Sequence, residues 1–148
     1  MKAITYLQFA GNAAEALSFY EKALSASEVK AVKFGIMPDS QLSEEEKNMI
    51  MDSYIHFGNN VIMLSDVPPS MEQAMGKVIP GSNMLISIID GDEKTNAEYF
   101  SRLSEGGNVI MPLASYPWSK NFGMLVDKFG ITWKFNGDAI SFIDSINK

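Results

Sequence analysis

One arrangement of elements is written twice in this 148-residue chain, and no other feature limits its fold as much. Ile4–Ala10 is rich in β-branched and aromatic residues and stops at Gly11-Asn12, so it reads as a strand. Asn12 is an N-cap candidate with Glu15 three residues on, a capping-box-like pair. Ala13, Ala16/Leu17, Tyr20 and Leu24 then recur at helical spacing and give one apolar stripe. Glu28–Gly35 is a short strand candidate through Val29, Val32 and Phe34. Pro38 to Lys47 is a polar excursion, in which Ser43 ahead of Glu44, Glu45 and Glu46 predicts a short solvated helix or a lid. Period two returns from Met51 to Gly58, with Met51, Ser53, Ile55 and Phe57 on one side and Asp52, Tyr54 and His56 on the other. Asn59-Asn60 predicts a tight turn and Val61–Leu64 the return strand.

After a linker bracketed by Pro68-Pro69 and Pro80-Gly81, with Met71, Ala74 and Met75 in a helical turn or two, the order repeats. Asn83–Ile89 reads as a strand, Asp92 as an N-cap, and Tyr99, Phe100 and Leu103 as a helix stopped by Gly106-Gly107. Val109–Leu113, Met124–Val126 and Ile131–Asn136 are further strand candidates. A shift of 80 residues places Asn12 on Asp92, Tyr20 on Phe100 and Val29 on Val109, and a shift of 70 places Val61 on Ile131. The repeat is one of pattern, not of residues. The prediction is an α+β chain of two βαβββ modules in a single domain. Module one covers about 1–67, a linker about 68–81, module two about 82–137, and a terminal helix about 138–148.

Composition then shortens the catalogue of functions. With no Cys, thiolate nucleophiles, iron–sulfur clusters, Cys-based zinc sites and intramolecular disulfides are excluded. A single His excludes sites that need two or more imidazoles. The net charge is 12 − 18 = −6 and no Lys/Arg cluster interrupts it, so nucleic acid is not an expected partner. No apolar run approaches the roughly 18 residues that span a bilayer, so no membrane partner is expected. Met1 to Ala10 imitates a secretory signal, but Gln8 interrupts it and a helix follows at once, so a cytoplasmic protein is expected.

The segment Tyr6-Leu7-Gln8-Phe9-Ala10-Gly11-Asn12-Ala13-Ala14-Glu15-Ala16-Leu17-Ser18-Phe19-Tyr20 resembles the opening of the PhnB-like branch of the vicinal oxygen chelate superfamily. That superfamily includes glyoxalase I, fosfomycin- and bleomycin-resistance proteins and extradiol dioxygenases. Tyr54-Ile55-His56-Phe57-Gly58, Met63-Leu64-Ser65-Asp66 and Met111-Pro112-Leu113 fit the same branch, as does the run from Trp118 to Asn136, the most specific of these. The resemblance implies modules whose mixed sheets curve around a pocket, usually in a homodimer. It also implies metal ligands on four strands, and the matching positions are unpromising. They fall at Thr5 or Gln8, at Met63 or Leu64 with Asp66 beyond the strand, at Asn83 or Ser87, and at Lys134 or Trp133. A lysine is no ligand for a divalent cation, so no metal and no cofactor are expected.

The reading that follows is a metal-free protein binding a small organic ligand, with Gln8, Tyr54, His56, Trp118 and Trp133 as candidate contacts. The alternative is a lyase, isomerase or dioxygenase using His56 as the catalytic residue with Gln8 or Asp66, with or without a divalent metal. His56 has a structural reading as well, a strand histidine held by backbone or by Tyr54. Trp133 reads as core or pocket floor, and Trp118, after Pro117, as pocket rim or dimer contact. Labels attached to such relatives, phosphonate metabolism and ubiquinone methylation, lack support here. The chain has neither a glycine-rich cofactor loop nor a basic cluster.

Overall fold

The computed structural model describes residues 1–38 and 41–147. Asp39 and Ser40 of the polar excursion, and Lys148 at the end of the expected terminal helix, lie outside the described residues. The chain forms two compact units, Met1–Ile79 and Pro80–Lys148.

Unit 1 runs β1 (Thr5–Phe9), α1 (Ala13–Ala23), β2 (Glu28–Lys33), α2 (Glu44–Asn48), β3 (Ile50–Phe57), β4 (Asn60–Asp66) and α3 (Glu72–Met75). Its sheet has the order β1-β4-β3-β2, with β1 parallel to β4 and the other pairs antiparallel. The signal-like stretch is thus built into a sheet edge as β1. Helix α1 packs across β3 and β4. Its stripe (Ala13, Ala16, Leu17, Tyr20) is buried, as are Phe9, Ile55, Phe57, Ile62 and Leu64 from the strands. The alternation predicted for β3 holds from Asp52 to Phe57: Ser53, Ile55 and Phe57 are buried, and Asp52, Tyr54 and His56 occupy the more open face. It fails at Met51, where a register shift against β2 leaves Met51 half-buried and buries Ile50 instead.

Three further local expectations differ from the structure. Asn12 makes no side-chain cap. The Asp66 carboxylate instead accepts the Gly11 and Ala13 N–H groups at 2.8 and 3.0 Å, so the start of α1 is capped from the end of β4. The β3–β4 turn is one residue earlier than predicted, because Phe57 pairs with Asn60 and Gly58 takes the positive φ of 50° that the turn needs. Helix α2 has the Ser43 capping box, yet Glu46 is only 8% exposed. Its carboxylate accepts from the Ser43 and Ser70 backbone N–H groups, both at 2.9 Å, so α2 is tied to the segment after β4 and is not a loose lid.

Unit 2 repeats the order: β5 (Ile86–Ile89), α4 (Glu93–Leu103), β6 (Asn108–Tyr116), β7 (Ser119–Val126), β8 (Thr132–Asn136), then α5 (Ala139–Ile146). The sheet order is β5-β8-β7-β6, with β5 parallel to β8. Asp92 caps α4 through the Thr95 N–H, as predicted. The shift of 80 holds for the helices, from Ala13 to Glu93 and from Ala23 to Leu103. It does not hold for the flanking strands. Thr5 pairs with buried Ile62 as Ile86 pairs with buried Trp133, giving 86 − 5 = 81 and 133 − 62 = 71. The last strand is therefore offset by 71, not 70, and with period two that single residue decides which side chains face the core.

Candidate functional site

The open face of the unit 1 sheet is the one on which functional groups collect. Cross-strand pairing sets Tyr6, Met63, Tyr54 and Lys30 in one row from β1 to β2. His56 pairs with Glu28 and Val61 in the next. An open pocket of about 560 Å³ lies on this face, lined among others by Lys30, Val32, Asp52, Tyr54 and Met63.

Its polar groups are wired in two sets. The Tyr6 hydroxyl donates to Asp52 Oδ1 at 3.0 Å, reaching across β4 to β3. Burial raises the Tyr6 phenol above its usual value; Ser65 pulls against this and Asp52 adds to it. On the other side Lys30 Nζ lies 2.8 Å from Glu28 Oε1 and 5.9 Å from the centre of the Tyr54 ring. The hydrogen bond to Glu28, with one to Tyr54, pushes the Lys30 ammonium up to about 12. Lys30 in turn holds the Glu28 carboxyl below its ordinary value.

Of the expected site residues, the structure brings Tyr54 and His56 together, with ring centroids 5.0 Å apart in an edge-to-face contact. His56 is exposed, and its ring meets Tyr54 by that edge and not through a hydrogen bond to the phenol. Gln8 is exposed on β1, paired in register with Ser65. Trp118 belongs to unit 2, in the turn between β6 and β7. It stacks on Tyr116 at 5.1 Å and 17°, and meets Phe122 edge-on at 5.6 Å. Trp133 is fully buried, and its Nε1 donates to Asp127 Oδ2 at 2.9 Å. Of its two sequence readings the structure gives core, and a ligand contact through this ring has no exposed surface to use. Asp66 is likewise removed from any partnership with His56. It lies on the opposite face of the sheet, 1% exposed, with three backbone N–H groups on its carboxylate.

Lys30, Asp52 and Met63 were not singled out from the sequence as contacts. The period-two alternation of β3 does put Asp52 beside Tyr54, which was the available signal. Lys30 and Met63 join them through long-range pairing that no local spacing reports.

A divalent metal fits neither unit by itself. The open-face polar and sulfur-bearing residues at the implied ligand strands are Tyr6, Gln8, Met63 and Ser65 in unit 1, and Ser87, Thr132, Lys134 and Asn136 in unit 2, with no carboxylate and no imidazole among them. A thioether and an ammonium are poor partners for hard or borderline cations. Among the described residues no three His, Cys, Asp or Glu side chains gather to hold an ion. No helix among them is long and apolar enough to cross a membrane.

The family model described as 3-demethylubiquinone-9 3-methyltransferase matches residues 1–136. Protein YjdN of Escherichia coli (strain K12) is 28% identical over 141 residues, covering 88% of this chain and 91% of that protein. The crystal structure of protein PA1353 from Pseudomonas aeruginosa is 31% identical with a TM-score of 0.75, covering 92% of this chain and 96% of that one. The fosfomycin resistance protein FosX from Mesorhizobium loti shares the fold at a TM-score of 0.60 and 11% identity, over 100% of this chain and 98% of that one.

Proposed function

We propose, from the premise that this chain belongs to the PhnB-like family described as 3-demethylubiquinone-9 3-methyltransferase, that it is a metal-free binding protein for a small organic molecule. The family has the vicinal oxygen chelate fold. The observation that carries the reading is the pocket on the open face of unit 1, walled by Tyr54, Met63 and Val32 and edged by Asp52 and Lys30. Such a mixture, mostly apolar with a few placed polar groups, is what small-molecule sites are made of. Tyr54 contributes the aromatic wall, with His56 and Gln8 as rim contacts. Trp118 offers a separate aromatic surface on unit 2. The protein works as a homodimer of the cytoplasm.

The methyl transfer in the family's description is not carried over. A phosphate-bearing cofactor is commonly cradled by free backbone N–H groups at a strand-to-helix turn. Here α1 begins on the Asp66 carboxylate and α4 on that of Asp92, so both helix starts already hold an anion from this chain. Neither offers such a cradle, and the family's description alone does not assign a reaction, because one scaffold hosts unrelated chemistries.

Elemental analysis of protein purified without chelator, followed by a thermal-shift screen of metabolites, tests the proposal. We expect substoichiometric metal, a melting temperature indifferent to EDTA, and stabilisation by some compounds. A ligand at 100 times its dissociation constant adds about 2.7 kcal/mol. Stoichiometric zinc, nickel or manganese that is lost in His56→Ala overturns the metal-free reading.

The enzymatic alternative is favoured by one observation, the accessibility of His56 beside Tyr54. It requires turnover that His56→Gln abolishes.

A further inference from the structure

We infer that the molecule taken by the unit 1 pocket is an organic cation, an amine or guanidine joined to an aromatic or apolar body; this rests on the reading of that pocket as the binding site. Two charged side chains line it, and they are not equivalent. Lys30 is matched by Glu28 at 2.8 Å. Asp52 accepts from the Tyr6 hydroxyl at 3.0 Å and from the Ser53 N–H at 2.9 Å, both neutral donors and both on Oδ1. Among the described residues no cation pairs with Asp52 and no hydrogen bond reaches its Oδ2. The uncompensated charge of the pocket is therefore a single carboxylate.

What covers that carboxylate is selected by its charge. A neutral apolar molecule strips water from Asp52 and gives nothing back, which is the expensive way to bury an ion. An anion is repelled by Asp52, and the Lys30 ammonium that could offset this already shares its charge with Glu28 at 2.8 Å. An ammonium or guanidinium donates to Oδ2 and neutralises the charge, with charge-assisted bonds. The wall suits the body of such a molecule. Tyr54, whose ring already has the Lys30 ammonium 5.9 Å from its centre, offers aromatic contact and not a second cation–π site. Met63 and Val32 supply apolar contact for the rest of the molecule. The chain's net charge of −6 adds a weak long-range attraction of the same sign.

The test uses the full chain, ¹⁵N-labelled, titrated with 2-phenylethylamine, 2-phenylethanol and phenylacetate, three probes of similar size but different charge. The amine is expected to move the amide signals of Val32, Asp52, Tyr54 and Met63 and to bind about tenfold more tightly than the alcohol. Asp52→Asn keeps an acceptor for Tyr6 and Ser53. It should weaken the amine about tenfold and leave the alcohol unchanged. Added salt should weaken the amine alone in the unaltered protein, a readout that does not depend on the variant folding. Alcohol or phenylacetate moving the same signals as strongly as the amine overturns the charge assignment and leaves the pocket standing. So does an amine affinity indifferent to both Asp52→Asn and salt. If none of the three probes moves a pocket amide, the pocket reading itself fails.

Discussion

At Asp66, Oδ1 takes the Gly11 and Ala13 N–H groups and Oδ2 takes that of Ile50 at 2.9 Å. One buried side chain thus joins the end of β4 to the start of α1 and the start of β3. Asn12 has the residue type of a cap but a backbone of φ −113° and ψ 19°, outside the extended region where capping side chains reach the helix. Asp66→Asn replaces one carboxylate oxygen with an amide that faces a donor. It should destabilise the protein by about 2–3 kcal/mol, measured by urea unfolding followed by circular dichroism. A loss within about 0.5 kcal/mol would contradict this role. Asp127 has a comparable place in unit 2, accepting from the Phe129 and Ile131 N–H groups and from the Trp133 indole. Asp127 falls in the Trp118-to-Asn136 run, so part of that run encodes a turn and its anchor, which says little about ligands.

Among the elements, α2 shows how a short helix becomes part of the fold. Its Glu46 carboxyl is held down to about 2 from an ordinary 4.5, chiefly by the Ser43 backbone N–H and then by Ser70. Because the folded value is depressed, the ionised carboxylate stabilises the fold fully above about pH 4.5, and that contribution disappears as the pH falls towards 2. Glu46→Gln should accordingly lower the melting temperature at pH 7, with the gap to the parent closing between those two values. A gap independent of pH would show that the charge of Glu46 is not what ties α2 to Ser70. The elements themselves were largely legible, since helices and strands announce their period locally. Register was not: the offset of 71 for β8 depends on which residues pair across the sheet, and alternation alone is satisfied equally by two choices of face only until a partner strand picks one. The same limit hid Lys30 and Met63, whose place in the pocket is set by pairing with Tyr54.

For the whole molecule, the doubled pattern carried the architecture: two sheets of the same order, β1-β4-β3-β2 and β5-β8-β7-β6. The candidate site was only half readable. Tyr54 and His56 share a strand and a face, so β3 alone revealed them, whereas the fate of Trp133 depended on the Asp127 contact. The surface left by each unit bears on assembly. Unit 1 exposes Ile36, and unit 2 exposes Met84, Ile110 and, along α5, Ile140, Ile143 and Ile146. Apolar groups gathered along one short helix are the kind of surface that a partner covers. Sedimentation equilibrium should therefore return twice the 16.3 kDa chain mass at micromolar concentration. A mass of one chain would rule out the proposed homodimer.

The placement of the two tryptophans also governs how this protein can be observed. Both lie in Pro80–Lys148, one sealed in the core beside a carboxylate and the other stacked on Tyr116 with 38% of its surface exposed. Indole emission will therefore resolve into a quencher-protected and a quencher-accessible component, and both report on that half alone. An unfolding curve read by tryptophan fluorescence is optically blind to Met1–Ile79, the half that carries the pocket. Spectroscopy of the pocket falls to Tyr6, Tyr54 and the chain's single imidazole.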